Sequence, residues 1–196
     1  MMTASQPNEI PAPTTETPPA TSQQITSVWH SYLVIGIVAV ALLIADQYTK
    51  QLAISHLKFQ AGYSWLWDTA RLQYAENTGG FLSLGGNLDQ ATRFWLLTVF
   101  NGLILVGCGV GLVMTKRSAL IRWGLGLVLS GGIGNLIDRV VYEGVVIDFM
   151  NLGIGPLRTG IFNIADIAIS AGVILMIWQH YLNGKQLEAQ TRKNEA

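Results

Sequence analysis

The sequence predicts a mainly α, polytopic membrane protein with four transmembrane helices, and three observations carry that expectation. Half of the 196 residues are hydrophobic and only 12% are charged, against roughly 25% charged in ordinary soluble domains. Four long apolar runs are separated by short polar or irregular segments. Basic residues gather beside the ends of those runs, at Lys116, Arg117 and Arg122 and again at Lys185, Arg192 and Lys193, which marks those connections as cytoplasmic. Twelve Lys and Arg balance twelve Asp and Glu, so no global field favours nucleic acid. The single cysteine, Cys108, excludes an intramolecular disulfide framework and a Cys-based zinc cluster. His30, His56 and His180 are scattered and form no HExxH-like pair, so neither a metal nor another cofactor is expected.

Residues 1–27 are rich in Pro, Thr, Ser and Gln and contain no Lys or Arg. Such a segment cannot bury a core and is expected to form a disordered tail. It lacks the basic n-region of a secretory signal, so the apolar run after it is read as a retained helix. That first helix spans about Trp29 to Leu57. Asp46 and Lys50, in DQYTK near its far end, are i,i+4 neighbours in the favourable acid-first order and can pair. Residues 58–90 lose the helical pattern, and WLWDTARLQYAENTGGFLSLGGN suits short strands joined by turns. Asn77, followed closely by Gly79 and Gly80, reads as a turn residue.

The second helix, Phe94 to Thr115, contains no charged residue. At about 1.5 Å per residue it reaches roughly 33 Å, enough to cross a bilayer core. The third runs from about Ser118 to Ile137, with Gly124, Gly126, Gly131, Gly132 and Gly134 permitting close helix approach. Residues 140–160 form a second irregular excursion, a fourth helix runs from about Asn163 to Leu182, and 185–196 are a cytoplasmic C-terminal tail. The membrane domain is thus residues 28–184, with both termini cytoplasmic and both excursions, at about 58–90 and 140–160, on the outer face.

This topology draws polar residues to one level. Helix one exits at Asp46, helix three at Asn135 and Asp138, helix four enters at Asn163 and Asp166, and the excursions carrying Asn77 and Asp148 lie on the same side. Ionisable groups at the edge of hydrocarbon are costly and mark a functional site by default. Asp46 has Lys50 one turn on, and Asp138 has Arg139 beside it and Asn135 three residues before, so both have groups to stabilise a fixed charge. Asp148 and Asp166 have no basic neighbour within four residues. Brought close, they would share a proton as a dyad and supply the acid and base work of peptide hydrolysis without metal. A plainer reading stands beside this one. Asn163-Ile-Ala-Asp166 is close to a helix-capping box, and Asp148 could be a strand or turn residue facing water.

The ordered set DQYTK, ENTGG, GGIGNLIDR, VVIDF and FNIAD, spread over about Ser31 to Tyr181, resembles the lipoprotein signal peptidases, the bacterial signal peptidase II family. The resemblance implies an intramembrane aspartic endopeptidase of the bacterial cytoplasmic membrane. Such an enzyme removes the signal peptide from diacylglyceryl-modified prolipoproteins just before the lipidated cysteine. It implies Asp148 and Asp166 as the catalytic dyad, with Asp46, Lys50, Asn77, Asn135, Asp138, Arg139 and Asn163 supporting the site or holding substrate. It further implies a small periplasmic β-cradle from the first excursion and a mobile extracytoplasmic flap from the second. Its partners are the lipid bilayer and the prolipoprotein, and the chain is expected to act as a monomer. The family usually carries an NxGAAF-like run, whereas here Asn77 is followed by Thr-Gly-Gly-Phe81-Leu82. The competing class is a small ion or proton channel or transporter using interfacial carboxylates, although the two halves show no inverted repeat. A purely structural membrane subunit leaves the clustered Asn and Asp residues unexplained.

Overall fold

The computed structural model describes residues 22–79, 89–114 and 118–194. Four helices dominate: α1 (Ser22–His56), α2 (Gln90–Met114), α3 (Ala119–Val141) and α4 (Ile164–Asn194). Each contains a stretch long and apolar enough to cross a membrane. All six prolines fall outside them, so no helical hydrogen bond is lost to a missing N–H.

The packing is inside out relative to a soluble protein. Large apolar side chains such as Ile37, Ile44, Val106 and Ile174 are exposed, while Asp46, Lys50, Asn135, Asp138, Arg139 and Asn163 are buried. Hydrocarbon solvates the former and the protein interior must satisfy the latter. α3 is the central helix and contacts α1, α2 and α4. Its glycines set those distances. A Cβ on Gly131 would collide with the Ala165 carbonyl of α4, and one on Gly134 would lie 2.6 Å from Asp46 Oδ2 of α1.

Both excursions contribute to one antiparallel sheet in the order β1 (Tyr63–Trp65), β2 (Ala70–Asn77), β3 (Val146–Ile154) and β4 (Leu157–Arg158). Ala75 pairs with Asp148 and Asn77 with Val146, whereas Leu72 pairs with Met150, so β2 carries one extra residue between Leu72 and Ala75. The sheet packs Ile147 and Phe149 onto Ala53 and Leu57 near the end of α1. The β1–β2 turn holds Leu66, Trp67 and Asp68 at φ of 52°, 52° and 68°, a left-handed conformation costing roughly 1–2 kcal/mol per residue. The Asp68 carboxylate braces it by accepting from Ser64 Oγ at 2.7 Å and from Arg71.

The four spans and the strands in the first excursion are as the sequence implies, but several boundaries differ. α1 begins at Ser22, taking up residues 22–27 of the expected tail, and α4 continues to Asn194 through most of the expected C-terminal tail. α3 runs on to Val141, so Asp138 and Arg139 lie in its last turns rather than beyond it. The second excursion joins the first in one sheet: β3 pairs with β2 from Val146 to Leu152, and Val146 to Phe149 are buried. Such strands form because VVIDFM is rich in β-branched and aromatic residues that pack well on a pleated surface. Lys116, Arg117 and the Gly80-Phe81-Leu82 departure lie outside the described residues.

Candidate active site

The site is built on the start of α4. Asn163 caps the helix: its Oδ1 accepts the Asp166 N–H at 2.9 Å, and Asp166 Oδ2 accepts the Asn163 N–H at 3.1 Å. This is the reciprocal capping box that the sequence suggested, and it fixes the Asp166 carboxylate. Asp166 Oδ1 accepts from Asn135 Nδ2 of α3 at 2.9 Å. The same Asn163 reaches β3, where its Nδ2 donates to Asp148 Oδ1 at 2.6 Å. Asp148 Oδ2 accepts from Asn77 Nδ2 of β2 at 3.0 Å. Asn77 is also a turn residue, since its Oδ1 accepts the Gly79 N–H at 3.0 Å. The two carboxyl groups are thus tied to one asparagine, and each oxygen of both accepts one N–H.

Asp148 is 2% exposed. Removal from water pushes its pKa up to about 7, the Asp166 charge adds to the rise, and the hydrogen bonds from Asn77 and Asn163 and the Lys50 charge oppose it. Near neutral pH Asp148 is therefore partly protonated and can act as a proton donor.

Beneath the carboxyl pair lies a fully buried ion cluster. Lys50 Nζ is 2.8 Å from Asp46 Oδ2 and 2.9 Å from Asp138 Oδ2, and it donates to Asn135 Oδ1 at 3.0 Å. These contacts use all three ammonium hydrogens. The two flanking carboxylates hold the two segments that carry the site. Asp46 Oδ1 accepts the Ala165 N–H at 2.8 Å, one residue from Asp166. Asp138 Oδ2 accepts the Ile147 N–H at 3.0 Å, one residue from Asp148. Lys50 thereby links both backbone anchors with Asn135, which positions Asp166.

Every residue singled out from the sequence lies in this constellation, with two changes of partner. Asp138 is paired with Lys50 rather than with Arg139. Consecutive helical residues diverge by about 100°, and Arg139 instead donates from Nη1 to the Asn135 carbonyl at 3.2 Å and from Nη2 to the Gly79 carbonyl at 3.3 Å. Asp46 is deeply buried, at 2% exposure. Gln47 was missed: its Nε2 bridges Asp138 Oδ1 at 3.0 Å, the Gly134 carbonyl at 3.1 Å and Asp46 Oδ2 at 3.3 Å. Its position three residues before Lys50, on the same helical face, was the available signal. Among the described residues no group of three His, Cys, Asp or Glu side chains is arranged to hold a metal ion.

Residues 38–182 match the family described as signal peptidase (SPase) II. The chain is similar to the lipoprotein signal peptidase of Sphingopyxis alaskensis, with 36% identity over 169 residues covering 83% of this chain and 94% of that protein. It is 33% identical over 153 residues to the lipoprotein signal peptidase of Rhodococcus jostii, covering 74% and 71% respectively. A bacterial membrane enzyme solved by the in meso method at 1.9 Å superposes with a TM-score of 0.63 at 26% identity, over 74% of this chain and 91% of that one. Another, solved at 2.3 Å, gives a TM-score of 0.68 over 78% and 90%. At 24% identity, the latter bears on the fold alone.

Proposed function

The chain belongs to the signal peptidase II family, and on that premise we propose that it is an aspartic endopeptidase. Its substrates are diacylglyceryl-modified prolipoproteins, cut immediately before the lipidated cysteine by water activated between Asp148 and Asp166. Membership of a peptidase family displaces the channel alternative. The observation that carries the aspartic reading is the shared Asn163, which ties both carboxyl groups to one point while burial pushes the Asp148 pKa up to about 7.

In this reading Asp166, which like Asp148 accepts two N–H bonds, takes a proton from the attacking water. Asp148 gives its proton to the scissile carbonyl oxygen as the tetrahedral intermediate forms. Collapse of that intermediate returns a proton to the departing amide nitrogen, so the pair works and titrates as a unit. Asn77, Asn135 and Asn163 orient the carboxyl groups, Asp46, Lys50 and Asp138 hold their backbones, and Arg139 supports Asn135 and the turn after Asn77. Arg122 in the first turn of one span and Lys185, Arg192 and Lys193 at the far end of another favour cytoplasmic termini and a site near the outer face. The chain is proposed to act as a monomer in the bacterial inner membrane.

The test is incubation of purified protein in detergent with a diacylglyceryl-modified prolipoprotein, followed by mass analysis of the products. Asp148→Asn and Asp166→Asn are each expected to abolish cleavage while leaving expression and membrane insertion intact. Full cleavage by either variant would overturn the dyad assignment.

A further inference from the structure

The β2–β3 ribbon has a second face. Because side chains alternate along a strand, Asn77 and Asp148 point into the site while Tyr74, Glu76 and Ile147 line a separate cavity of about 330 Å³ behind it. This is at the small end of the roughly 300–1,000 Å³ range of small-ligand sites. Its remaining walls come from Ile54 and Lys58 at the end of α1 and from Val141, Tyr142, Glu143 and Val145 where α3 gives way to β3. The cavity therefore sits where two membrane-spanning helices terminate, and its Val141 wall continues into exposed Val140. None of the groups assigned to peptide hydrolysis lines it.

The polar groups in this cavity carry opposite charges. Lys58 Nζ donates to Glu76 Oε1 at 3.0 Å and lies 5.2 Å from the centre of the Tyr74 ring. With Glu76 and the Tyr74 hydroxyl as its partners, one of its three hydrogens is left for an anion. The Tyr142 hydroxyl accepts from Gln51 Nε2 at 2.8 Å, which fixes the ring at the opening. Glu143, exposed and held at a φ of 52°, has no ion-pair partner among the described residues. A ligand joining a phosphate to a primary ammonium would satisfy both, with phosphate at Lys58 and ammonium between Glu143 and the Tyr142 ring, an acid and aromatic setting suited to a cation.

We infer that this cavity binds the headgroup of a phospholipid bearing a primary amine, a phosphoethanolamine lipid, with its acyl chains running down past Val141 and Val140. A quaternary choline head lacks the N–H donors that Glu143 would accept, and a glycerol head lacks the cation, so the expected order is ethanolamine over choline over glycerol.

The full-length protein, purified in detergent, is equilibrated with an equimolar mixture of phosphatidylethanolamine, phosphatidylcholine and phosphatidylglycerol of identical acyl chains, and retained lipid is read by native mass spectrometry. The wild type is expected to retain the ethanolamine lipid about tenfold over the glycerol lipid, a preference of about 1.4 kcal/mol. Glu143→Gln is expected to bring that ratio close to one while prolipoprotein cleavage, measured separately, continues. Equal retention of all three lipids by the wild type would overturn the inference, as would an unchanged preference in Glu143→Gln. Competition with soluble O-phosphoethanolamine separates the sources: weak displacement supports a lipid, and displacement at equal concentration would overturn the lipid assignment. Because lipid retention needs no turnover, the result stands apart from the peptidase assay.

Discussion

Two ion clusters of opposite design lie at opposite ends of the sheet. Under the site, Lys50 sits between Asp46 and Asp138, with side-chain exposures of 1%, 2% and 0%. At the far tip, Asp68 sits between Arg71 and Arg158, with exposures of 45%, 36% and 13%. One is a cation held by two anions, the other an anion held by two cations. Water separates their consequences. Exposed pairs are screened and contribute about 0–1 kcal/mol, whereas removing one partner of a buried pair leaves an uncompensated charge and costs about 3–5 kcal/mol. The buried cluster also spends its spare lone pairs on the Ala165 and Ile147 amides, so loss of its cation is transmitted to both carboxyl carriers. The exposed cluster braces a left-handed turn and, through Arg158, ties it to β4.

The sharpest challenge to this contrast is Lys50→Met. It is expected to lower stability by about 3–5 kcal/mol and to abolish processing, read by thermal melting and product mass. Neutralising the whole cluster, with Asp46→Asn and Asp138→Asn added, should recover part of that stability, because no charge is then left buried alone. A triple variant less stable than Lys50→Met would break the argument.

Next in size is the titration of Asp148. A carboxyl whose folded-state pKa is raised binds its proton more tightly when folded, so the stability it contributes is lost as pH rises from the ordinary carboxylate range through about 7. The melting gap between Asp148→Asn and wild type should therefore move in the variant's favour between pH 4 and 8. The shift is on the order of a few kcal/mol, each pH unit in that window being worth about 1.4 kcal/mol. Wild-type processing should fall over the same rise as the proton donor is lost. A flat melting gap would show that Asp148 is not held protonated.

The smallest effect is expected at the exposed cluster. Asp68→Asn should lower the melting temperature only slightly, leave processing unchanged and leave its alkaline limb in place. A loss comparable to that of Lys50→Met would erase the distinction between the two clusters.

What could be read from the chain follows the range of each interaction. The spans and the Asp46–Lys50 pair are local, set by apolar length and i,i+4 spacing, and so is the Asn163–Asp166 capping box. The common level of Asn77, Asp148 and Asp166 follows from counting spans. The Asp138–Lys50 contact crosses between helices and has no sequence signature, so the adjacent Arg139 was the tempting partner. The union of both excursions into one sheet escaped for the same reason, since β2 and β3 lie some seventy residues apart in sequence, as in the Asn77–Asp148 bond. At Asp166 a capping role is compatible with the proposed place in a reactive pair, since the cap uses one oxygen.

The extra residue of β2 between Leu72 and Ala75 makes the site sensitive to chain length as well as to chemistry. Downstream of it, Asn77 shares a face with Asp148 and Glu76 faces away. Deleting a single residue at Gln73 or Tyr74 would remove the bulge and leave a regular ladder, with Leu72 still opposite Met150 and Asn77 still opposite Val146. Deleting both while keeping the outer pairing would bring Glu76 opposite Asp148 and turn Asn77 outward, so the strand can lose one residue here and not two.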